Sequence, residues 1–327
     1  ICKHINQFIE ENNFAAVFTI SAGILPLPDL SRTGYEEIIK RTDFSLTVAK
    51  QHGRNCCYIF QEEEYQNFLR IREITNELHS AVNHGFRGFS IIFQPVMDIR
   101  QDKLTGAEVL IRFASKKFGP ISPAEFIPLL ETSGLIIPTG RWFMREAITA
   151  CRKIRMQIPD FKVNINVSQV QITKSDIITD LISEMDASGL PPAAIVIELT
   201  ESILLEKNEK AQNFLKELKQ AGLQLALDDF GTGYSNFHYL SELHPDIVKI
   251  DRGFTSKAIT DKKEYYLLNQ FSNMIHNLGL KLCIEGIETE DELQKMKLLK
   301  PDYCQGFYWG QSYPYDEFRK HFVDVDR

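Results

Sequence analysis

Seven short apolar runs in this sequence end on residues whose side chains bind divalent metal ions or handle protons. The runs end at Glu108, Asn166, Glu198, Asp228-Asp229, Lys249, Glu285 and Gln305. The metal-binding candidates are oxygen donors, and neither His nor Cys stands at these ends. Oxygen ligands suit hard cations, so the pattern predicts a magnesium or manganese centre rather than a zinc centre.

Several carboxylates, one carboxamide and one lysine are the side chains that a two-metal hydrolytic site requires. Two cations about 4 Å apart can share a bridging Asp, deprotonate a water and stabilise both in-line oxygens of a phosphodiester. The adjacent Asp228 and Asp229 can place one carboxylate on each ion. The charge of the ions also explains how an acidic protein could hold a doubly anionic substrate.

Each of these residues has a purely structural alternative. A single Glu or Asn can end a strand in solvent, and Asp228-Asp229 can open the turn that precedes Gly231. Lys249 can extend its ammonium group to the rim of the sheet. Because all these residues follow successive strands at the same end, we favour one shared site over a series of coincidences.

The segments between the polar ends are long enough for one helix each, which predicts an α/β fold, a modified TIM (β/α)8 barrel with its site at the carboxyl ends of the strands. The predicted strands cover residues 91–99, 108–113, 162–167, 194–199, 224–228, 247–250, 281–284 and 303–308. The predicted helices cover residues 123–132, 140–157, 174–188, 208–221, 262–278, 290–297 and 315–322. Residues 100–105 are too few for a crossover helix, so the first strand is expected to be antiparallel.

The sequence before the barrel predicts a small α+β segment over residues 1–64. Helices at 1–12 and 34–52 alternate with strands at 15–20 and 55–60, and Gly53 ends the second helix. Residues 65–84 have the periodicity of a connecting helix, and residues 85–327 form the barrel domain. Two strands and two helices are too few for a stable independent domain, so the segment is predicted to be half of one.

Composition narrows the possible partners. The 327 residues carry a net charge of −7, with 43% hydrophobic and 25% charged residues, so we expect a globular protein that does not bind DNA. No membrane segment or signal peptide is visible. The six cysteines show no CxxC spacing. We expect a cytoplasmic location, with a possible membrane tether upstream of Ile1.

The residues from Gly106 to Arg112, GAEVLIR, resemble the Glu-Ala-Leu signature of EAL-domain cyclic di-GMP phosphodiesterases. The resemblance covers residues 85–322, with the further motifs in the family's order. They are Phe93-Gln94-Pro95, Asn166-Val167-Ser168, Glu198-Leu199-Thr200-Glu201, Asp228-Asp229-Phe230-Gly231-Thr232-Gly233, Lys249-Ile250-Asp251-Arg252, Glu285-Gly286-Ile287-Glu288 and Gln305-Gly306-Phe307.

The resemblance implies hydrolysis of cyclic di-GMP to linear pGpG with two Mg²⁺ or Mn²⁺ ions per site, inhibition by Ca²⁺, and a homodimer formed through the barrel. The first ion would be held by Glu108, Asn166, Glu198 and Asp228. The second would be held by Asp228, Asp229 and Glu285. Lys249 would orient the attacking water, and Gln305 would steady the water network.

The resemblance also implies the contacts with the dinucleotide. The residues that would bind it are Gln94, Leu110, Arg112, Asp251, Glu288 and Phe307. Of these, Arg112 would contact a phosphate and Phe307 would stack on a guanine. Glu201 would support the loop from Asp229 to Ser235, which helps to place the second ion. For Arg112 and Phe307, a surface charge and a core aromatic remain reasonable alternatives.

The chain departs from the family pattern at a few positions. Val109 stands where the signature has Ala, and its side chain should face away from Glu108 in a regular strand. Ile284 and Ile287 replace smaller residues of the family beside Glu285, and Ser312 stands where the family often has Pro. Ser21-Ala22-Gly23-Ile24 and the run from Thr42 to Asn55 resemble the C-terminal half of a GGDEF domain, which residues 1–64 would represent. The cyclase signature is absent from this sequence, so cyclase activity of a full-length protein stays open.

Two other functions are compatible with this pattern. A catalytically silent cyclic di-GMP receptor could use the same fold, but such receptors usually lose some of the residues that are intact at Glu108, Asp228, Asp229, Lys249 and Glu285. An unrelated two-metal barrel hydrolase is disfavoured because the motifs match in order throughout.

Overall fold

The chain folds into two compact units in a computed structural model, Ile1–Asn76 and Glu77–Arg327. The structure describes residues 2–12, 19–26, 34–200, 209–231, 240 and 243–324. The division between the units falls inside one long helix, Glu62–Asn83. The domain limits expected at residues 64 and 84 stay predictions.

The first unit is a small α+β structure. In chain order, it contains α1 (Cys2–Glu11), β1 (Ala22–Ile24), α2 (Tyr35–Gln51) and β2 (Cys57–Ile59), followed by α3 (Glu62–Asn83). Strands β1 and β2 are parallel. Phe44, Val48, Tyr58 and Tyr65 pack together in its core. The proposed relation of this unit to a GGDEF domain stays a prediction.

The strand expected at residues 15–20 differs from the structure. Residues 15–18 lie outside the described part of the chain, and Thr19 and Ile20 are not in a strand. The strand begins instead at Ala22, where Gly23 packs so closely on α2 that a Cβ atom would overlap the helix backbone at Leu46. The apolar run at residues 15–20 predicted an earlier strand, whereas the close contact of Gly23 with α2 sets the observed position.

A closed eight-stranded barrel forms the second unit and confirms the predicted fold class. Its described strands are β3 (Phe89–Asp98), β4 (Lys103–Ser115), β5 (Gly119–Ile121), β6 (Lys162–Asn166), β7 (Ile195–Thr200), β8 (Gln224–Phe230), β9 (Ile247–Ile250), β10 (Lys281–Ile284), β11 (Tyr303–Gln305) and β12 (Tyr313–Pro314). The barrel comprises β3, β4 and β6 to β11, and it closes where β3 pairs with β4. Strand β3 is antiparallel to both of its neighbours, as expected from the short connection.

Helices follow most of the barrel strands. Those described are α4 (Pro123–Ser133), α5 (Ile136–Arg155), α6 (Gln169–Lys174), α7 (Ile177–Ser188), α8 (Glu209–Gln220), α9 (Arg252–Thr260), α10 (Lys262–Asn277), α11 (Glu290–Lys297) and α12 (Tyr315–Phe322). Two 3₁₀ turns cover Pro192–Ala194 and Phe307–Trp309. Among the described residues, we find no helix with the length and apolar character needed to cross a membrane.

Several sequence predictions in this unit need correction. The strand predicted at residues 108–113 extends from Lys103 to Ser115. The helix predicted from residue 174 begins at Ile177, after the separate short helix α6. The last barrel strand ends at Gln305 rather than at residue 308, because the chain turns at Gly306 into the 3₁₀ turn. The helix α9 was missed because Gly253 lowers helix propensity. It forms nevertheless, with Asp251 as N-cap accepting a hydrogen bond from the Gly253 amide at 2.7 Å.

An apolar layer inside the barrel lies directly before the polar strand ends. It is one buried cluster of Val96, Val196, Ala226, Ile247, Cys283 and Tyr303. Five of these residues stand two positions before a candidate site residue, in the pairs Val196–Glu198, Ala226–Asp228, Ile247–Lys249, Cys283–Glu285 and Tyr303–Gln305. Because side chains two positions apart share one face of a strand, this layer supports the functional side chains from below.

Gly306 provides a test of how the backbone places the last strand end. A Cβ atom there would overlap the backbone of Ile287, and backbone cannot move aside as a flexible side chain can. We expect Gly306→Ala to destabilise the protein by about 1–3 kcal/mol in urea unfolding. The control is Gly34→Ala, where φ is −66° and no atom lies within 4 Å. Equal stability of the two variants would contradict this account.

Candidate active site

Lys249 lies at the centre of the polar strand ends. Its side chain is only 1% exposed, and its Nζ lies 2.8 Å from Glu198 Oε1 and 2.8 Å from Glu285 Oε1. It also lies 3.1 Å from Asp228 Oδ1 and 3.4 Å from Glu108 Oε2. Four carboxylates that are distant in sequence therefore meet around one ammonium group.

A β-bulge places the two adjacent aspartates opposite this lysine. Leu227 pairs with Val248 and Phe230 pairs with Ile250, so Asp228 and Asp229 together oppose Lys249. Asp229 has φ of +54°, in the left-handed region that Asp tolerates better than most residues. The extra residue bends the strand and redirects its side chains. Asp228 is buried and faces Lys249, whereas Asp229 is exposed.

Amide side chains orient two of the carboxylates. Glu108 accepts a hydrogen bond from Asn166 Nδ2 at 2.8 Å on one oxygen and from Gln305 Nε2 at 2.7 Å on the other. Glu198 accepts a hydrogen bond on Oε1 from Asn164 Nδ2 at 2.7 Å. These bonds fix the directions in which both carboxylates point.

Burial and mutual charge set the protonation of the cluster. Burial alone would lower the pKa of Lys249, but the surrounding carboxylates raise it well above its usual value. Burial raises the pKa of Glu198 well above its usual value and that of Glu285 to about 8. Burial opposes ionisation of Glu108 too, yet Lys249, Gln305 and Asn166 together lower the pKa of that carboxyl. Lys249 is therefore an ammonium ion and Glu108 a carboxylate at neutral pH.

Three of the carboxylates fit a divalent cation. Glu108, Glu198 and Asp228 are all buried, and each offers one oxygen within 4.8 Å of the other two. Glu198 Oε2 is buried without a hydrogen-bond partner. Asp228 Oδ1 and Glu285 Oε1 face Lys249 at ion-pair distance but outside hydrogen-bond geometry. Buried oxygens left without donors are costly, and a cation would satisfy them.

An open cleft of about 210 Å³ lies beside this cluster. Its walls are Gln94, Glu108, Arg252, Glu285, Gly286, Glu288, Gln305, Gly306 and Phe307. Gln94 pairs with Glu108 across the β3–β4 hairpin. The cleft thus joins the carboxylates to three residues that the sequence assigned to substrate binding, Gln94, Glu288 and Phe307.

The other predicted substrate contacts lie at defined positions outside this cleft lining. Leu110 and Arg112 follow Glu108 at alternate positions of β4, and the guanidinium of Arg112 donates to the Ile111 carbonyl at 2.9 Å. Burial lowers the pKa of Arg112. Asp251 is the N-cap of α9. The roles of these residues in binding stay predictions.

Glu201 and most of the loop that it was predicted to support fall outside the described residues. The description ends at Thr200 and resumes at Glu209, and residues 232–239 are likewise outside it. The proposed support of Asp229 by Glu201 therefore stays a prediction.

Two residues of the site were missed in the sequence. Asn164 was part of a recognised strand end, but only Asn166 was assigned a role. Their spacing by two was a usable signal, because both must face the barrel interior. Arg252 was quoted in a motif without a role, although it follows Asp251 directly at a strand end.

Comparison with known proteins agrees with this architecture. The family model of the EAL domain matches residues 75–312. The chain belongs to the EAL domain family. The resemblance drawn from the sequence motifs is thereby confirmed at the family level.

Two similar proteins come from Pseudomonas aeruginosa and Escherichia coli. The bifunctional diguanylate cyclase/cyclic di-GMP phosphodiesterase MucR of Pseudomonas aeruginosa is 28% identical over 97% of this chain and 46% of its own length. The probable cyclic di-GMP phosphodiesterase PdeG of Escherichia coli is 32% identical over 74% of this chain and 48% of its own length. The chain spans less than half of each relative.

Solved EAL structures share the fold. The PaMucR phosphodiesterase in complex with c-di-GMP is 28% identical with a TM-score of 0.68, over 75% of this chain and 99% of that chain. The cGMP-bound form of the EAL enzyme Bd1971 is 28% identical with a TM-score of 0.72, over 79% of this chain and 71% of that chain.

The central role of Lys249 leads to a prediction about stability. In Lys249→Met, four carboxyl groups, three of them buried, lose their common counter-ion. Breaking a buried ion pair costs about 3–5 kcal/mol. We expect a lower Tm in EDTA, with a larger loss at pH 8 than at pH 6, because protonation relieves the repulsion at lower pH. Saturating Mg²⁺ should raise the Tm of this variant by more than it raises the Tm of the wild type.

The matched control is Lys162→Met. Lys162 is a partly buried strand lysine at the opposite end of the barrel, where its Nζ donates to Gln224 at 2.6 Å. It has no contact with the carboxylate cluster in the described structure. A Lys249→Met protein with wild-type Tm in EDTA would show that the ammonium ion does not hold the cluster together.

Proposed function

We propose that this EAL domain is a metal-dependent phosphodiesterase that hydrolyses cyclic di-GMP to linear pGpG. The observation that carries the proposal is the buried triad Glu108, Glu198 and Asp228, with its unpartnered Glu198 oxygen, gathered around Lys249 beside an open cleft. The relatives named above as cyclic di-GMP phosphodiesterases support the choice of substrate.

Divalent cations, Mg²⁺ or Mn²⁺, would supply an activated water and neutralise charge on the phosphodiester. Glu108, Asn166, Glu198 and Asp228 are the proposed ligands of the first ion. Asp228, Asp229 and Glu285 are the proposed ligands of the second, and the bulge at Asp228-Asp229 supports this division. Oxygen donors throughout suit these hard ions.

Lys249 and Gln305 organise the reacting groups. The raised pKa of Lys249 keeps it an ammonium ion, so it can orient a water by donating a hydrogen bond but cannot accept a proton while the carboxylates remain uncompensated. Gln305 is only 3% exposed and holds Glu108 through its amide. Both side chains thus act by fixing positions before the reaction begins.

The reaction opens one of the two phosphodiester linkages. The water oxygen forms a bond to phosphorus, the bond from phosphorus to the 3′ oxygen breaks, and that oxygen leaves with a proton. The product keeps the phosphate on its 5′ oxygen, which makes it pGpG. The proposed contacts that hold the dinucleotide are Gln94, Leu110, Arg112, Asp251, Glu288 and Phe307.

The catalytic proposal and the silent receptor differ in one measurement. Both would bind cyclic di-GMP, but only the enzyme would convert it to pGpG in the presence of Mg²⁺ or Mn²⁺. Purified protein incubated with cyclic di-GMP and resolved by chromatography separates them. Assembly into a homodimer stays a prediction that light scattering can test.

Glu108→Gln should abolish turnover and leave the fold intact. The amide has nearly the same volume but no negative charge, so it weakens a cation ligand and the contact with Lys249. We expect a loss larger than the tenfold to roughly hundredfold cost of removing a supporting residue. Chromatography of pGpG measures the rate, and thermal unfolding reports the fold.

The matched control for that variant is Glu146→Gln. Glu146 is an exposed carboxylate on α5, away from the cluster. It should keep the wild-type rate. Turnover of Glu108→Gln near the wild-type rate would remove Glu108 from the proposed ligand set.

Ca²⁺ should support binding of cyclic di-GMP but not its hydrolysis. Its bonds to oxygen are longer and its coordination is looser than those of Mg²⁺, which suits binding but not compact in-line attack. We expect turnover at least about tenfold lower than in Mg²⁺, with calorimetric binding retained. Rapid formation of pGpG in Ca²⁺ alone would refute the compact two-ion site.

A further inference from the structure

Arg252 lies in the cleft beside the carboxylate cluster, although neither the sequence motifs nor the proposed reaction gives it a role. Its guanidinium carbon lies 5.8 Å from the centre of the Phe307 ring, in a cation–π contact. The same guanidinium forms an ion pair with Glu288. It therefore joins two residues that were predicted, independently of it, to contact the dinucleotide.

The backbone fixes the position of the Arg252 stem, whereas its guanidinium is held, among the described residues, only by exposed partners. Arg252 is the first residue of α9, directly after the Asp251 N-cap. A Cβ atom on Gly286 would overlap the Arg252 side chain, so the glycine makes room for the arginine beside Glu285. The side chain is nevertheless 57% exposed, and that of Glu288 is 38% exposed. The stem is confined while the guanidinium can exchange its partners.

The guanidinium occupies a place that a bound base would need. It lies over one face of Phe307, and a purine stacked on that face requires a ring separation that leaves no space for it. Phe307 is 47% exposed, so it offers apolar area to such a base. When a base stacks there, Arg252 must move to the edge of the base, still within reach of the cleft.

We infer that Arg252 is a specificity-determining residue that selects guanine at the Phe307 face. In this view, which rests on the proposed function, the guanidinium leaves the ring and donates two hydrogen bonds to O6 and N7 of the stacked guanine. Glu288 keeps the guanidinium in place until the base arrives.

The chemistry of the two purines gives the selectivity. Guanine presents two acceptors, O6 and N7, on the edge that a planar arginine fork matches. Adenine presents one acceptor, N7, and one donor, the N6 amino group, so one of the two arginine donors would face a donor. Lysine keeps the charge but lacks the planar fork and its stacking, so Arg252→Lys separates charge from shape.

The test measures binding of cyclic di-GMP and cyclic di-AMP by calorimetry in Ca²⁺, which should support binding without turnover. We expect Arg252→Lys and Arg252→Gln each to weaken cyclic di-GMP by about tenfold or more. The preference for cyclic di-GMP over cyclic di-AMP should fall by a similar factor. Thermal unfolding would reveal a folding defect in either variant, and the other variant would then still give a result.

The matched control is Arg145→Lys. Arg145 on α5 forms an ion pair with Glu184 at 2.6 Å and is 61% exposed, so it resembles the Arg252–Glu288 pair without lining the cleft. This variant should keep the wild-type affinities and the wild-type preference.

Three results would overturn the inference. Unchanged affinities in both Arg252 variants would show that the guanidinium does not touch the ligand. Equal weakening of both dinucleotides would assign it to phosphate, and equal strengthening would make it only an obstacle on the ring. Failure of the proposed function is distinct, because the wild-type protein would then form no pGpG in Mg²⁺ or Mn²⁺, whatever the Arg252 variants do to binding.

Discussion

The contact of one lysine with four carboxylates is the interaction on which the site depends. Four acidic groups inside a barrel repel one another and lose hydration, so they can stay together only with a compensating charge. Lys249 supplies it, with every one of the four within 3.4 Å of its Nζ. The cluster is therefore assembled before any divalent ion arrives, which lowers the cost of organising ligands when one binds.

The barrel makes this arrangement possible through the alternation of its strands. An apolar layer of Val96, Val196, Ala226, Ile247, Cys283 and Tyr303 fills the interior. Five functional groups stand two residues after one of its members: Glu198, Asp228, Lys249, Glu285 and Gln305. A register slip by one residue would exchange the interior and exterior faces of a strand. The bulge at Asp228-Asp229 is the one place where the described ladder between β8 and β9 breaks, and it brings a second carboxylate to the same end.

The sequence predicted the parts of the site that share one rule, a polar residue directly after an apolar run. This rule identified Glu108, Glu198, Asp228, Lys249 and Glu285, which the structure brings together, and the barrel followed from the helix-length spacing. It failed for Asn164, because an amide inside a strand looks like any polar interruption until its partner is known. The prediction of helices failed for α9. Gly253 disfavours a helix there, but the Asp251 cap outweighs it.

A divalent cation and Lys249 would both interact with the same carboxylates, so the binding of one would affect the other. The carboxylates raise the pKa of Lys249, and burial holds that of Glu285 near 8. A divalent ion on Glu108, Glu198 and Asp228 would draw off the negative charge that keeps the lysine protonated. The four carboxylates therefore favour the ammonium form of Lys249. Under the proposed function, metal binding would therefore change the same charge balance that brings the carboxylates together around Lys249.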